Sequence, residues 1–158
     1  MALAVAPPPE SLPPPVLLCD ASNEQLAEVL FGRLRDQDLA GSGELAGAMV
    51  EVERVGRQSF ALSIDLLVAS EQHGLHYADG HSSSKVMMRH VDNAAGEAFR
   101  RDQCRRMFTK LPVVAEAARA GLIGRDQLML LGRVFSNPRV RGAMEGRQEW
   151  FLEHAARL

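Results

Sequence analysis

Aromatic residues are scarce: one Trp, one Tyr and six Phe stand in 158 residues. That leaves no aromatic ladder on which the bases of a single strand would stack. With Ala, Leu, Val, Met and Arg abundant, it also favours helix over sheet. Cysteine is nearly absent. Cys19 and Cys104 lie far apart in unlike contexts, which reads as a reduced pair and excludes a disulfide scaffold. No run approaches the ~20 apolar residues that a membrane span needs. Val16-Leu17-Leu18-Cys19 lacks a cationic leader and a small residue before the cysteine, so it is not read as a lipid-attachment site. A cytoplasmic protein with no membrane partner is expected.

Catalytic signatures are missing too. There is no glycine-framed serine, no phosphate-cradling glycine loop and no Cys–His pairing. Ser82-Ser83-Ser84-Lys85 spells Ser-x-x-Lys, but the motifs that accompany it in serine enzymes are absent. His73, His76, Asp79 and His81 carry metal-ligating atoms, yet their spacing fits no established zinc site. No enzyme, cofactor, metal or small-molecule substrate is expected.

Charge is present and unevenly spread. The net charge of -2 conceals four basic and eleven acidic residues up to Leu75, against seven basic and three acidic from Ser82 to Lys110. An acidic first half and a basic centre would offer one face to an anionic partner.

Along the chain, Pro7–Pro9 and Pro13–Pro15 remove donors and fix φ, so residues 1–21 read as a Pro-rich disordered tail. Ser22-Asn23-Glu24-Gln25 has the form of a capping box opening a helix with Leu26, Val29, Leu30 and Leu34. Gly41-Ser42-Gly43 breaks it. A long helix is expected from about Ser42 to Gln72, with Leu45, Met49, Val52, Val55, Leu62, Leu66 and Ala69 as its core stripe, interrupted by Ser59 and Ser63. The two helices would form an antiparallel hairpin, or an arm through which two copies form a homodimer. His73 to His81 reads as a connecting loop.

The stretch Ser82–Lys110 concentrates the positive charge. Ser83 or Ser84 can cap a short helix with Val86, Met87 and Val91 facing inward, and Asp92 or Asn93 can cap the next. On a helix from about Gly96 to Lys110, a 100° step per residue gathers Cys104, Met107, Phe108 and Leu111 on one side. Arg101, Arg105, Arg106 and Lys110 then fall on the opposite, solvent-facing arc. Helix, short turn and basic helix outline a helix-turn-helix, whose second helix lies in the major groove of double-stranded DNA. The candidate nucleic-acid-binding residues are Lys85, Arg89, Arg100, Arg101, Arg105, Arg106 and Lys110. A hydrated face on a soluble helical protein is the competing reading of the same charge.

After the stop at Leu111-Pro112, a short helix closes at Gly121. A second carries Leu128, Leu131, Val134 and Phe135. A last one starts at Asn137-Pro138 and is expected to run unbroken to Leu158, as if the domain were cut in its final helix.

Asp79-Gly80-His81-Ser82, the Arg-rich helix with Leu111-Pro112, Ala120-Gly121-Leu122-Ile123 with Gln127-Leu128, and Asn137-Pro138-Arg139-Val140 resemble, in order and spacing, the actinobacterial 13E12 repeat family. The resemblance covers about Ser22 to Leu158. It implies a helical region placed ahead of an HNH nuclease module and associated with DNA. Two places depart from the family pattern. Val86, Met87 and Met88 stand where a tryptophan–leucine pair is usual, and Asp92 to Gly96 where the turn usually reads glycine-leucine-serine. His154 has no partner histidine and no strand pattern around it, so this chain assembles no HNH site.

The resulting expectation is an all-α, non-catalytic domain over residues 22–158: a helical hairpin followed by a bundle of short helices, contacting double-stranded DNA through its basic helix. The alternative is a structural or dimerisation module that docks a nuclease domain without touching DNA.

Overall fold

The computed structural model describes residues 22–35, 42–91 and 94–155. Among the described residues there are nine helices and no strand, so the chain is all-α. It divides into two units, Met1–Ala48 and Met49–Leu158, each described by itself.

In the first unit, α1 (Asn23–Arg35) starts at the expected capping box. Ser22 Oγ accepts the Gln25 N–H at 3.2 Å, and Gln25 Oε1 accepts the Ser22 N–H at 2.8 Å. Two early amides that lack helical partners are thereby satisfied. The Pro-rich segment, Cys19 and the connection at 36–41 that would close the expected hairpin lie outside the described residues. Helix α2 (Ser42–His73) is a single helix that crosses the unit boundary.

The second unit holds the rest of α2, then α3 (Leu75–Ala78), α4 (Ser84–His90), α5 (Ala95–Phe108), α6 (Pro112–Arg119), α7 (Arg125–Phe135), α8 (Pro138–Gly146) and α9 (Gln148–Ala155). Helix α5 is its centre, packing most extensively on α7 and next on α4. Close approach to α7 depends on Gly132: a Cβ there would sit 3.1 Å from both the backbone N and Sγ of Cys104. Fully buried Ile64, Met107, Leu111 and Leu128 fill the space between helices, each contributing about 1.5–3 kcal/mol by leaving water. Gly121, at φ 73°, closes α6 as expected. Its N–H bonds Ala118 O and the next N–H bonds Ala117 O, at 2.9 and 3.0 Å, the Schellman pattern. A Cβ on Gly121 would meet Arg54 O at 3.1 Å, so the α6–α7 turn sits directly on α2.

Several expectations are corrected. The core side of α2 is not the expected stripe but Phe60, Ala61, Ile64, Leu67 and Ser70. Leu45, Met49, Val52, Leu62 and Leu66 are 46–64% exposed, because α2 carries two apolar stripes and only one meets the core. His73–His81 is not a plain loop, since α3 forms inside it between Gly74 (φ 64°) and Gly80 (φ 77°). On α4, Met87 packs partly buried against the core and Val86 is half-buried, in line with the expected inward set, but Val91 is exposed and the deepest residue is Met88. Ser83 alone caps α4, accepting the Val86 N–H at 3.3 Å, while Ser84 is buried. Helix α5 has Ala94 at its N-cap with no side-chain bond. Asp92 and Asn93 lie outside the described residues. Helix α8 starts at Asn137-Pro138 as expected, with the Asn137 side chain accepting the Arg139 N–H at 3.1 Å. The final helix, however, breaks at Arg147 (φ -139°, ψ 40°) into α8 and α9.

Candidate nucleic-acid interface

The seven candidate cations sit on α4 and around α5, and they fall into three groups. Arg100 and Arg101 belong to Glu97, one helical turn earlier. The Glu97 side chain is 13% exposed and takes Arg101 Nε at 2.8 Å, Arg100 Nη2 at 3.6 Å and Arg125 Nη2 of α7 at 2.6 Å. Arg101 Nη1 also donates to Ser63 Oγ at 3.1 Å. The guanidinium groups of Arg101 and Arg125 lie 5.1 and 5.3 Å from the Phe60 ring centroid, a cation–π arrangement on both. Burial works to raise the Glu97 carboxyl. The Arg101 hydrogen bond and the charges of Arg125 and Arg101 outweigh it and hold the group below the usual glutamate range.

Arg105 and Arg106 belong to Asp102. That carboxylate is 6% exposed and accepts Arg105 Nε at 2.9 Å and Arg106 Nη2 at 2.7 Å. Arg105 also reaches Glu71 of α2 at 4.0 Å, and Glu71 accepts a short hydrogen bond from the Ser84 hydroxyl. That bond, with the Arg105 charge, lowers the Glu71 carboxyl against the opposing effect of burial. The expected solvent-facing arc is therefore corrected for two residues: the Arg101 and Arg105 side chains are only 21% and 16% exposed. They are internal ties between α5, α2 and α7, not free cations.

Lys85, Arg89 and Lys110 form the third group and are exposed. Lys85 and Arg89 stand four residues apart on α4, hence on one face. Lys110, past the end of α5, lines an open cavity of about 280 Å³ with Arg106, Thr109, Phe135, Ser136 and Arg141. Three cations converge there and no carboxylate lines it. Arg141 lies over the Phe135 ring at 5.3 Å and donates through Nε to Phe135 O at 3.4 Å, a bond that leaves its terminal nitrogens unengaged. Arg141 escaped the sequence reading because it lies far along the chain, and only packing of α8 beside the α7 end brings it to Lys110.

Helix α5 does not have the surroundings of a reading head. Ala98, Asp102, Gln103, Cys104, Met107 and Phe108 are buried; Ala95, Gly96, Phe99 and Arg100 are exposed at its start, and from Arg101 on only Arg106, Thr109 and Lys110 are. The second half of the helix thus offers few outward side chains to a groove. Cys104 is a buried free thiol whose Sγ donates to Leu128 O at 3.6 Å. Burial, helped by Glu97, pushes it up to about 12.

Of the histidines, His76 is turned into the core, its Nδ1 3.3 Å from Ser70 O. His81 stacks on His90 at 4.6 Å between centroids. No group of three or more metal-ligating side chains comes together among the described residues. No described helix is long and apolar enough to cross a membrane. Comparison with protein-family models, with curated proteins and with solved structures gives no match for this chain.

Proposed function

We propose that this chain is a non-catalytic member of the 13E12 repeat family that contacts double-stranded DNA through the phosphate backbone, without reading bases. The observation that carries the proposal is the carboxylate-free cavity where Arg106, Lys110 and Arg141 converge. Guanidinium and ammonium groups held at one spot suit a phosphodiester. Contacts of this kind position a protein on a duplex and carry no sequence information. Lys85 and Arg89 supply a second, weaker pair of exposed cations. Arg101 and Arg105 are excluded from the contact set because their side chains are only 21% and 16% exposed against Glu97, Asp102 and Glu71, and Arg100 because it does not line the cavity. Arg106, although paired with Asp102 at 2.7 Å, is 64% exposed and lines it. A cytoplasmic location belongs to the same proposal.

The test is fluorescence anisotropy with a short duplex at low salt. Combined Arg106→Gln, Lys110→Gln and Arg141→Gln should weaken binding about tenfold or more, equivalent to about 1.4 kcal/mol. Arg101→Gln should leave affinity within about twofold while lowering stability. Wild-type protein that binds no duplex, or a triple variant that binds like wild type, overturns the proposal.

The enclosed position of α5 favours a second reading. Here the domain is a structural module that docks a nuclease domain, and the ion pairs of Glu97 and Asp102 serve only to lock its helices. Under that reading duplex binding is absent and the same arginine variants change stability alone. Self-association through the long helix is independent of either reading.

A further inference from the structure

Helix α2 carries an apolar face that its own core does not use. From Val52, the residues Val55, Ser59, Leu62, Leu66 and Ala69 follow at steps alternating three and four. This is the a/d repeat of a helix that pairs with another helix. Val52, Leu62 and Leu66 are 48%, 59% and 64% exposed. The core side, marked by Phe60, Ile64 and Leu67, lies well round the helix, so both faces can be occupied at once.

We propose that this seam pairs with the same seam of a second copy of the chain. Two observations select that occupant. First, the carboxylates flanking the seam are already matched within the chain. Glu51 lies 4.0 Å from Arg54, and Asp65 takes a two-pronged bond from Arg119 at 2.8 Å. The Asp65 hydrogen bond and charge in turn raise Arg119 above its usual value. Two identical seams therefore meet without uncompensated like charge. Second, the remaining flanking positions are uncharged, Gly56 and Ser63 on one side and Gln58 and Gln72 on the other, while Ser70 is turned into the core. Ser59 at the midpoint puts a small polar residue in the seam and restrains its strength, so the contact is a reversible one.

Sedimentation equilibrium on the full chain over a concentration series tests this. Wild type should show a concentration-dependent monomer–dimer equilibrium. Leu62→Glu with Leu66→Glu should weaken the dimer at least tenfold with the helical circular dichroism and thermal midpoint of the monomer unchanged. Val50→Glu, at a site 71% exposed and off the seam, should leave the dimer intact. Three results would overturn the proposal. One is a wild type that stays monomeric at the highest concentration. Another is a dimer that survives the double substitution. The third is a monomer whose stability the double substitution lowers, which would mean that the chain's own residues cover the seam. Loss of duplex binding by the cavity variants has no bearing on any of these readouts.

Discussion

Replacing Asp102 with Asn probes the ion pairs that divide the arginine row. The side chain is 6% exposed and holds two arginines at 2.9 and 2.7 Å. Each charge-assisted hydrogen bond is worth about 1.5–3 kcal/mol, and removing one member of a buried pair costs about 3–5 kcal/mol. The two partners differ in what they lose. Arg106 is 64% exposed and regains water, whereas Arg105, at 16%, keeps only Glu71 at 4.0 Å. Asp102→Asn should therefore destabilise by about 2–4 kcal/mol, and at about 2–4 °C per kcal/mol for a chain of this size the midpoint should fall by about 4–16 °C. Arg106→Gln, removing the exposed partner, should cost at most about 1 kcal/mol. Urea unfolding followed by circular dichroism measures both. An Asp102→Asn protein within about 0.5 kcal/mol of wild type, inside the range of an ordinary surface substitution, would refute the assignment of Asp102 as an internal tie.

Further outcomes follow from the same geometry. Gly132→Val should destabilise by about 1–3 kcal/mol or more, because its Cβ meets Cys104 at 3.1 Å; thermal unfolding reads it. Gly121→Ala should cost about 1–2 kcal/mol for the positive φ alone, with added strain from Arg54 O at 3.1 Å. The lowered Glu71 and Glu97 carboxyls contribute stability that is fully present above their unfolded value of about 4.3 and is lost as pH falls through the lowered folded values. Glu97→Gln should flatten that acid limb of a stability–pH curve. The Cys104 thiol, pushed up to about 12, should react with a thiol reagent at pH 8 only at the rate of opening, since the thiolate is the nucleophile. Fast labelling of native protein would contradict its burial.

The elements that announce themselves locally were legible in the sequence. The box at Ser22 and Gln25, the Schellman glycine at Gly121 and the start at Asn137-Pro138 are set by residues within a turn of one another. What depends on distant packing was not. Helix α2 bears two stripes of helical period, and sequence periodicity alone cannot say which one meets a core. The break at Arg147 goes with a contact 35 residues apart in the chain, where Gln148 Oε1 accepts the Val113 N–H at 3.0 Å and ties the start of α9 to the start of α6. Within the candidate site, the pairing of Glu97 and Asp102 with arginines three and four residues later was visible as spacing. Its consequence, that charge counted as outward is spent inside, needed the burial of both carboxylates. Arg141 gave no signal at all.

These pairings change what positive charge means in this chain. Seven cations around α5 would form a broad electrostatic surface if all were free. The ion pairs leave Lys85 and Arg89 on α4 and one cluster at the end of α5.

The salt dependence of duplex binding tests this most directly, because the slope of log K against log salt is about -0.9 per phosphate contacted. Arg106, Lys110 and Arg141 predict a slope of about -3, and Lys85 with Arg89 carry it to no more than about -4.5. A slope near -6, the value for all seven candidate cations acting together, or no binding at low salt, would contradict the account.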